Sequence, residues 1–483
     1  MDTELTSSEW FTRLNAKFTA VMRQPWLDKR PRPNDGRCGG VQRYRLPRNQ
    51  VLDMLWSYRT GDPPLPLVAE EYQEVFRDVM RKARSNYAPM CVNAMLDRME
   101  LQAVSTLADS DTNGDDVAAQ IMEDSGFLAV FKDLLDFVFS MAEGYGMVVP
   151  GNPYPTIHAI DPRRCVGIPD PENPIRLCAA IVREWDPIEE QHKAYVFLPG
   201  QKWTFRMEGK AWNDQPDAEF EPIEGLEDLG GIPIVRFDNA LGLGEYEPHI
   251  DLLDRINDVT LQRIIGFWYQ ALRQRAIKGD QDDDDDDEPG TEPADLNKVF
   301  RADPGSLWQI PSDFDIWESA QSDFGAFLNA KRDDVKEFAA VTSTPLHLIT
   351  PDAANGSAAG AGLIRESATS KVRDRRARLT PSLKLLWRIA FALAKQDRGS
   401  AIKLHWGPIE FRTLAEKASA SSQSIGTLSL EQRCERIWEM SPEEAAENIS
   451  QLAAEQILLP GAPTTPTAPA PQADQTAANA PAA

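Results

Sequence analysis

Apolar residues recur at spacings of three and four through PLVAEEYQEVFRDVMRKA (66–83) and GFLAVFKDLLDFVFSMAEGYG (126–146), a period that predicts helices over most of residues 1–150. Gly144 and Gly146 suit the stop of the second helix. From Tyr154 to Asn239 the period changes, and CAAIVREW, HKAYVFLPG and KWTFRMEGKAW read as short strands separated by Pro, Gly and Asp turns. After GGIPIVRFDNALGLG (230–244) nothing breaks a helix from Pro248 to Lys278. At about 1.5 Å per residue such a helix reaches about 46 Å, with Gly279 as its stop. Ile250, Leu253, Ile256, Leu261, Ile264, Trp268 and Leu272 give it a long apolar flank.

The pattern then breaks abruptly. QDDDDDDEPG (281–290) sets Asp282, Asp283, Asp284, Asp285, Asp286 and Asp287 in one run, which reads as a self-repelling, solvated loop. Consecutive carboxylates without intervening turn residues do not suit a hard-cation loop. NKVFRADPGSLWQIPSDFDIWES (297–319) is strand-like in places, and Ser322 is placed to cap a second long helix through Val341, ended by Pro345. TPDAANGSAAGAG (350–362) has no large side chain and reads as a flexible linker. LIRESATSKVRDRRARLTPSLKLLWRIAFALAK (363–395) follows as a third long helix, in which Pro381 is expected to make a kink. KLHWGPIEF (403–411) returns to strand character, and 412–459 is helical, with Ser441, Pro442 and Glu444 as a start signal. GAPTTPTAPAPQADQTAANAPAA is a low-complexity tail expected to be disordered.

The fold class is therefore α+β and mainly helical. With 483 residues and 42% hydrophobic content the chain has enough apolar material for a sizeable core spread over a few lobes. No stretch approaches the about 18 apolar residues of a bilayer span, and MDTELTSSEW lacks signal-like order, so a soluble, non-secreted protein is expected. Cys38, Cys91, Cys165, Cys178 and Cys434 are scattered and form no C-x-x-C pair, which argues for a reducing compartment rather than a disulfide or zinc framework. Formal charge is −24, yet residues 363–395 hold nine basic residues against two acidic ones. The most cationic element thus belongs to an anionic protein.

Candidate chemistry is sparse. Asp109, Asp111, Asn113 and Gly114 have calcium-loop spacing, but Gln120 stands where a bidentate glutamate belongs, which favours a polar turn before a helix. No G-x-x-x-x-G-K-[ST] occurs, and His158, His192, His249, His347 and His405 lie in no H-E-x-x-H or G-x-S-x-G arrangement. Neither a catalytic residue, a metal site nor a cofactor is expected, and the chain reads as a non-enzyme. Trp268, Trp308, Trp317 and Trp387 suit core or interface anchors better than base-stacking platforms. A generic helical scaffold or adaptor of virion assembly and a calcium-regulated binding protein are the other classes this pattern leaves open.

The order of these elements resembles the portal proteins of tailed double-stranded DNA bacteriophages over roughly residues 10–450. SNYAPMCVNAMLDRMEL (85–101), AEGYGMVVPGNPYPTIHAIDPRRCVGIPD (142–170), GGIPIVRFDN followed by IDLLDRINDVTLQ, and DFGAFLNAKRDDVKEFAAVTSTPLHLI (323–349) carry the likeness. The resemblance implies a homo-oligomeric ring, usually of twelve copies, at one capsid vertex, with wing, stem, clip and crown regions around a DNA channel. It assigns 1–245 to the wing, 246–279 and 321–345 to paired stem helices, 280–320 to the clip and 346–411 to a wing continuation. Residues 412–460 become the crown and 461–483 the tail. Within the continuation, 350–362 becomes the tunnel loop near DNA, with Asn355, Gly356, Ser357, Gly360 and Gly362, and 363–395 the kinked helix behind it. Implied partners are double-stranded DNA held without sequence preference, the terminase large subunit, a head-tail adaptor, and the major capsid and scaffolding proteins, without a membrane. The implied location is the virion, after assembly in the host cytoplasm.

In that setting a −24 charge is compatible with DNA, because each phosphate contact by Lys or Arg adds affinity, whereas a sliding duplex must never settle. Arg365, Lys371 and Arg373 then have two readings: phosphate contacts, or ion pairs to an acidic neighbour in the ring. The second is favoured for most cations of 363–388, since channel cations slow sliding. The aspartate run at the clip reads as a fender or steering patch for a basic partner.

Overall fold

The computed structural model describes residues 5–22, 46–66, 70–106, 108, 114–208, 218–271, 275–278, 315–318, 325–349, 358–396, 398–409 and 412–458. Its helices are α1 (Ser7–Phe18), α2 (Arg48–Thr60), α3 (Glu70–Ala83), α4 (Ala88–Leu96), α5 (Asp116–Ser125) and α6 (Phe127–Met141). They continue with α7 (Ile250–Ala271), α8 (Gly325–Val341), α9 (Ala358–Leu393), α10 (Leu414–Gln423), α11 (Leu430–Arg436) and α12 (Pro442–Leu458). The first strands are β1 (Val21–Met22), β2 (Leu46–Pro47), β3 (Leu101–Thr106), β4 (Glu143–Val149), β5 (Thr156–Ile160), β6 (Cys165–Pro169) and β7 (Leu177–Asp186). Then come β8 (Gln191–Leu198), β9 (Gln201–Glu208), β10 (Ala218–Pro222), β11 (Ile234–Asp238), β12 (Arg275–Lys278), β13 (Asp315–Glu318) and β14 (Ile402–Trp406).

Contacts divide the chain into one unit of Met1–Pro64, Asn86–Leu253 and Lys336–Ala483, and a second of Leu65–Ser85 and Asp254–Val335. The first unit is built on an antiparallel sheet in the order β10-β9-β8-β7-β6 and a three-stranded sheet in the order β11-β4-β5. Alternation along β7 to β9 gives the larger sheet two apolar faces. Ile181, Ala194, Val196 and Phe205 of one face bury Phe11, Leu14 and Phe18 of α1. Leu177, Ala180, Val182 and Phe197 of the other pack with Tyr145 and Ile234 of the smaller sheet and with Ile232 just before β11. Helix α1 starts on a capping box in which Thr6 and Glu9 satisfy each other's backbone N–H. The polar turn foreseen near Gly114 ends as the cap of α5, where Asp115 accepts from the Val117 and Ala118 amides and from Thr106 Oγ1. Asp109, Asp111 and Asn113 lie outside the described residues.

Helix α6 stops at Met141, earlier than the glycines had suggested, with Ala142 left-handed at φ 71°. Gly144 and Gly146 sit inside β4 instead. A Cβ on Gly144 would meet Val138 Cγ2 at 2.9 Å and the Leu134 carbonyl oxygen at 3.0 Å, so close packing on α6 requires the bare backbone there. The return strand in 403–411 is β14, which pairs antiparallel with β3, and Ser105 Oγ shares a hydrogen bond with His405 Nε2. Burial, then Lys403, push the His405 imidazole down to about 4. The unfolded chain takes up that proton from about pH 6.5 downward while the folded chain resists it, so this site favours folding above pH 6.5 and the advantage fades toward pH 4. His405→Gln is expected to flatten that part of the profile, read as melting temperatures at pH 7, 5.5 and 4.

In the second unit, Val79, Met80 and Ala83 of α3 pack with Leu261 of α7. Arg255 pairs with Asp334 at 2.9 Å, and the Ser85 amide donates to Asn257 Oδ1 at 2.7 Å. Helix α7 has 22 residues and ends at Ala271, shorter than the run to Lys278 that its composition allows. Residues 275–278 instead form β12, paired antiparallel with β13 in the register Ile277↔Ile316. Pairing of β-branched residues across the ladder overrides a helical preference that was only local. Helix α8 runs from Gly325 to Val341, and Ser322 lies outside the described residues. No helix among the described residues is long and apolar enough to cross a membrane.

Candidate functional site: the basic helix and its anchorage

Helix α9 spans 36 residues, about 54 Å at the usual rise. It begins at Ala358, five residues before the expected start, so Gly360 and Gly362 lie in its first turns and not in a loop. Alanine at 358, 359 and 361 is the strongest helix former and outweighs the intervening glycines. Asn355, Gly356 and Ser357 lie outside the described residues, as do Asp282, Asp283, Asp284, Asp285, Asp286 and Asp287. The helix continues through Pro381. One turn back, Thr380 Oγ1 donates to the Arg376 carbonyl at 2.6 Å.

The cations of α9 do not share one fate. Lys371 Nζ lies 2.6 Å from Glu245 Oε2 and donates to the Thr342 carbonyl at 2.8 Å. Arg375 Nε donates to Glu245 Oε1 at 2.7 Å, and Asn239 Nδ2 reaches the same oxygen at 3.1 Å. The Glu245 side chain is only 3% exposed. Burial alone would raise its carboxyl, but Lys371 and Arg375 outweigh that and hold it below the ordinary carboxylate range. Thr342 closes α8, its hydroxyl donating to Phe338 O at 2.7 Å and sharing a hydrogen bond with Thr344. One buried carboxylate therefore gathers the segment before α7, the end of α8 and the middle of α9.

Arg376 is spent differently. It donates to the carbonyls of Arg98 and Gly407 and stacks 5.0 Å over the Trp406 ring. Burial without a carboxylate partner pushes its guanidinium down to about 10. Neither expected reading, phosphate contact or pairing with a neighbouring copy, covers Lys371, Arg375 or Arg376, because each is occupied within its own chain. Only long-range packing reveals this, since Glu245 stands 130 residues before Arg375. Arg373 is exposed, and the Arg365 side chain lies outside what is described. Glu366, Ser370, Arg373, Ala377 and Pro381 form the exposed stripe of α9, while Val372, Leu379, Leu383, Leu386 and Trp387 face the core. Trp387 is fully buried against Phe127, centroid to centroid 5.3 Å. Among the described residues, no group of three or more His, Cys, Asp or Glu is arranged to hold a metal ion.

The model of the family described as "Phage portal protein, SPP1 Gp6-like" matches residues 58–457. Among solved structures, the chain is similar to one titled "Neck of native GTA particle computed with C12 symmetry". The two share 14% identity and a TM-score of 0.42, and the match covers 79% of this chain and 98% of that one. A second, "Neck of empty GTA particle computed with C6 symmetry", matches at 15% identity and a TM-score of 0.43, covering 76% and 94%. No curated protein matches the chain.

Proposed function

The chain belongs to the SPP1 Gp6-like family of phage portal proteins, and from that membership we propose that it forms a homo-oligomeric ring, of twelve copies, at one vertex of a capsid. The family match over 58–457 carries this reading, because it takes in the helices from α3 to α11 and both the five-stranded and the three-stranded sheet of the α+β fold. Double-stranded DNA enters and leaves through the bore, and the protein acts as a structural connector without catalysis. In this reading 1–245 and most of 346–411 build the wing, and α7 with α8 the paired stem helices. Residues 280–320 build the clip on the β12–β13 ladder, and 412–460 the crown.

The segment 350–362, with Asn355, Gly356, Ser357, Gly360 and Gly362, approaches the duplex with small side chains, of which only Asp352 is charged, that do not lock phosphates. Arg365 at the head of α9 is a cation for DNA or a neighbouring copy. Asp282 to Asp287 dock basic surfaces of the terminase large subunit or the head-tail adaptor, and the wing meets the major capsid and scaffolding proteins. The protein assembles in the host cytoplasm and ends in the virion. Replacing Asp282–Asp287 by serines is expected to weaken adaptor binding in pull-downs at low salt and to spare ring formation; unchanged binding and packaging would leave the run with solvation alone. Top views of the purified protein by negative stain test the reading itself: rings with an open centre are expected, and a lone particle at every concentration overturns it.

A further inference from the structure

The exposed face of α9 carries cations that the interior does not use. Arg373, Lys384 and Arg388 stand 11 and 4 residues apart, close to whole turns, and so fall on one stripe of the helix. Arg373 is exposed, and the other two are half-buried. No carboxylate of the described residues pairs with any of the three, although Arg388 lines the same cavity as Glu227 and Asp228. Lys371 and Arg375, by contrast, are held at Glu245, and Arg378 is held at Asp374 at 2.8 Å. The stripe is thus a surface with unmet positive charge on a chain of formal charge −24.

We propose that this stripe is a docking surface for a second copy of the chain, whose carboxylates pair with Arg373, Lys384 and Arg388 at the boundary between neighbours. The proposal rests on the ring reading given above. Two observations favour a protein over a nucleic acid. Glu366 lies on the same stripe and Asp374 at its edge, both exposed, and their negative charge opposes the approach of phosphates to the cations beside them. Copies that each bear −24 repel one another, so a boundary between them needs a positive face to meet a negative one, and acidic residues outnumber basic ones 75 to 51 over the chain. Identical copies related by rotation in a ring meet through two different surfaces, so the stripe needs no symmetry of its own. Ser370, Ala377 and Pro381 between the charges leave room for close approach.

The test is charge reversal in the full-length protein, R373E/K384E/R388E, with assembly read by mass photometry, fold by circular-dichroism melting, and DNA affinity by anisotropy of a labelled duplex of arbitrary sequence. The expected result is a ring fraction reduced at least about tenfold with melting of the protomer and duplex affinity unchanged. Should the triple variant fail to fold, R373E alone is decisive, because Arg373 is exposed: it is expected to lower the ring fraction severalfold, and a wild-type ring fraction overturns the proposal. A triple variant that assembles normally also overturns it, and if its duplex affinity and salt slope fall at the same time the stripe belongs to DNA. Wild-type protein that never assembles overturns the ring reading as well, an outcome distinct from a variant that assembles normally.

Discussion

Glu245→Ala is expected to destabilise the protein by about 3–5 kcal/mol, the range found when one partner of a buried ion cluster is removed. The cost has an identifiable source. The Lys371 and Arg375 side chains are 14% and 15% exposed, so without Glu245 Lys371 would be left desolvated with no carboxylate and Arg375 with only the exposed Asp374. Asn239 would lose an acceptor as well. Lys371 would keep the Thr342 carbonyl, but a neutral acceptor does not replace a carboxylate. The urea midpoint of the purified protomer measures the effect, and E245A/K371M/R375M provides the control. Removing the charges together leaves nothing uncompensated, so this triple variant is expected to recover most of the loss. The pH dependence has a fixed sign. The folded carboxyl sits below its ordinary value of 4.5, so its stabilisation is present above that pH and disappears as acid protonates the folded form. Glu245→Ala should therefore be less sensitive to acid below pH 4.5 than the parent, and an equal loss in both proteins would assign the acid response elsewhere.

The same cluster shows which features local sequence reveals. Apolar pattern placed both ends of β7 and β8 and the start of β9 to within one or two residues, because Ile181, Val196 and Phe205 must all meet one buried face of the sheet. Helical period likewise found α3, α6, α7, α8 and α9. Boundaries failed where a distant partner decides. Arg275–Lys278 continue an unbroken helical pattern, yet Asp315–Glu318 supply a ladder that spacing along the chain cannot show. Ala358–Gly362 read as linker because glycine signals freedom, although alanine is enough to extend the helix. The cations of α9 were visible as a charged run, but their sorting was not. Position on the helix separates Arg373, Lys384 and Arg388 from Lys371 and Arg375 only when it is known which side meets Glu245. Trp387, by contrast, was legible as an anchor, since a tryptophan among Leu385, Leu386 and Ile389 has no polar face to present.

Trp387→Ala is expected to cost about 3–5 kcal/mol through the cavity it opens. The indole is fully buried, packs on Phe127 at 5.3 Å and lies 5.9 Å from Phe391. Phe127 in turn stacks on Phe131 at 5.3 Å, so one deletion loosens an aromatic row that joins α9 to α6. A subtler variant separates volume from polarity. Trp387 Nε1 is buried without a hydrogen-bond partner, and such a donor costs about 1–3 kcal/mol in the folded state. Trp387→Phe removes that burden while leaving most of the ring contact, so its net loss should be well under half that of the alanine variant. Thermal melting of the two proteins side by side gives the comparison. Equal losses would mean that the indole is valued for its full volume and that its orphaned N–H has no measurable weight. A small loss for phenylalanine would mean that the row needs an aromatic face at 387 more than it needs tryptophan. In that case the join between α9 and α6 tolerates a change of side chain as long as a flat ring lies against Phe127.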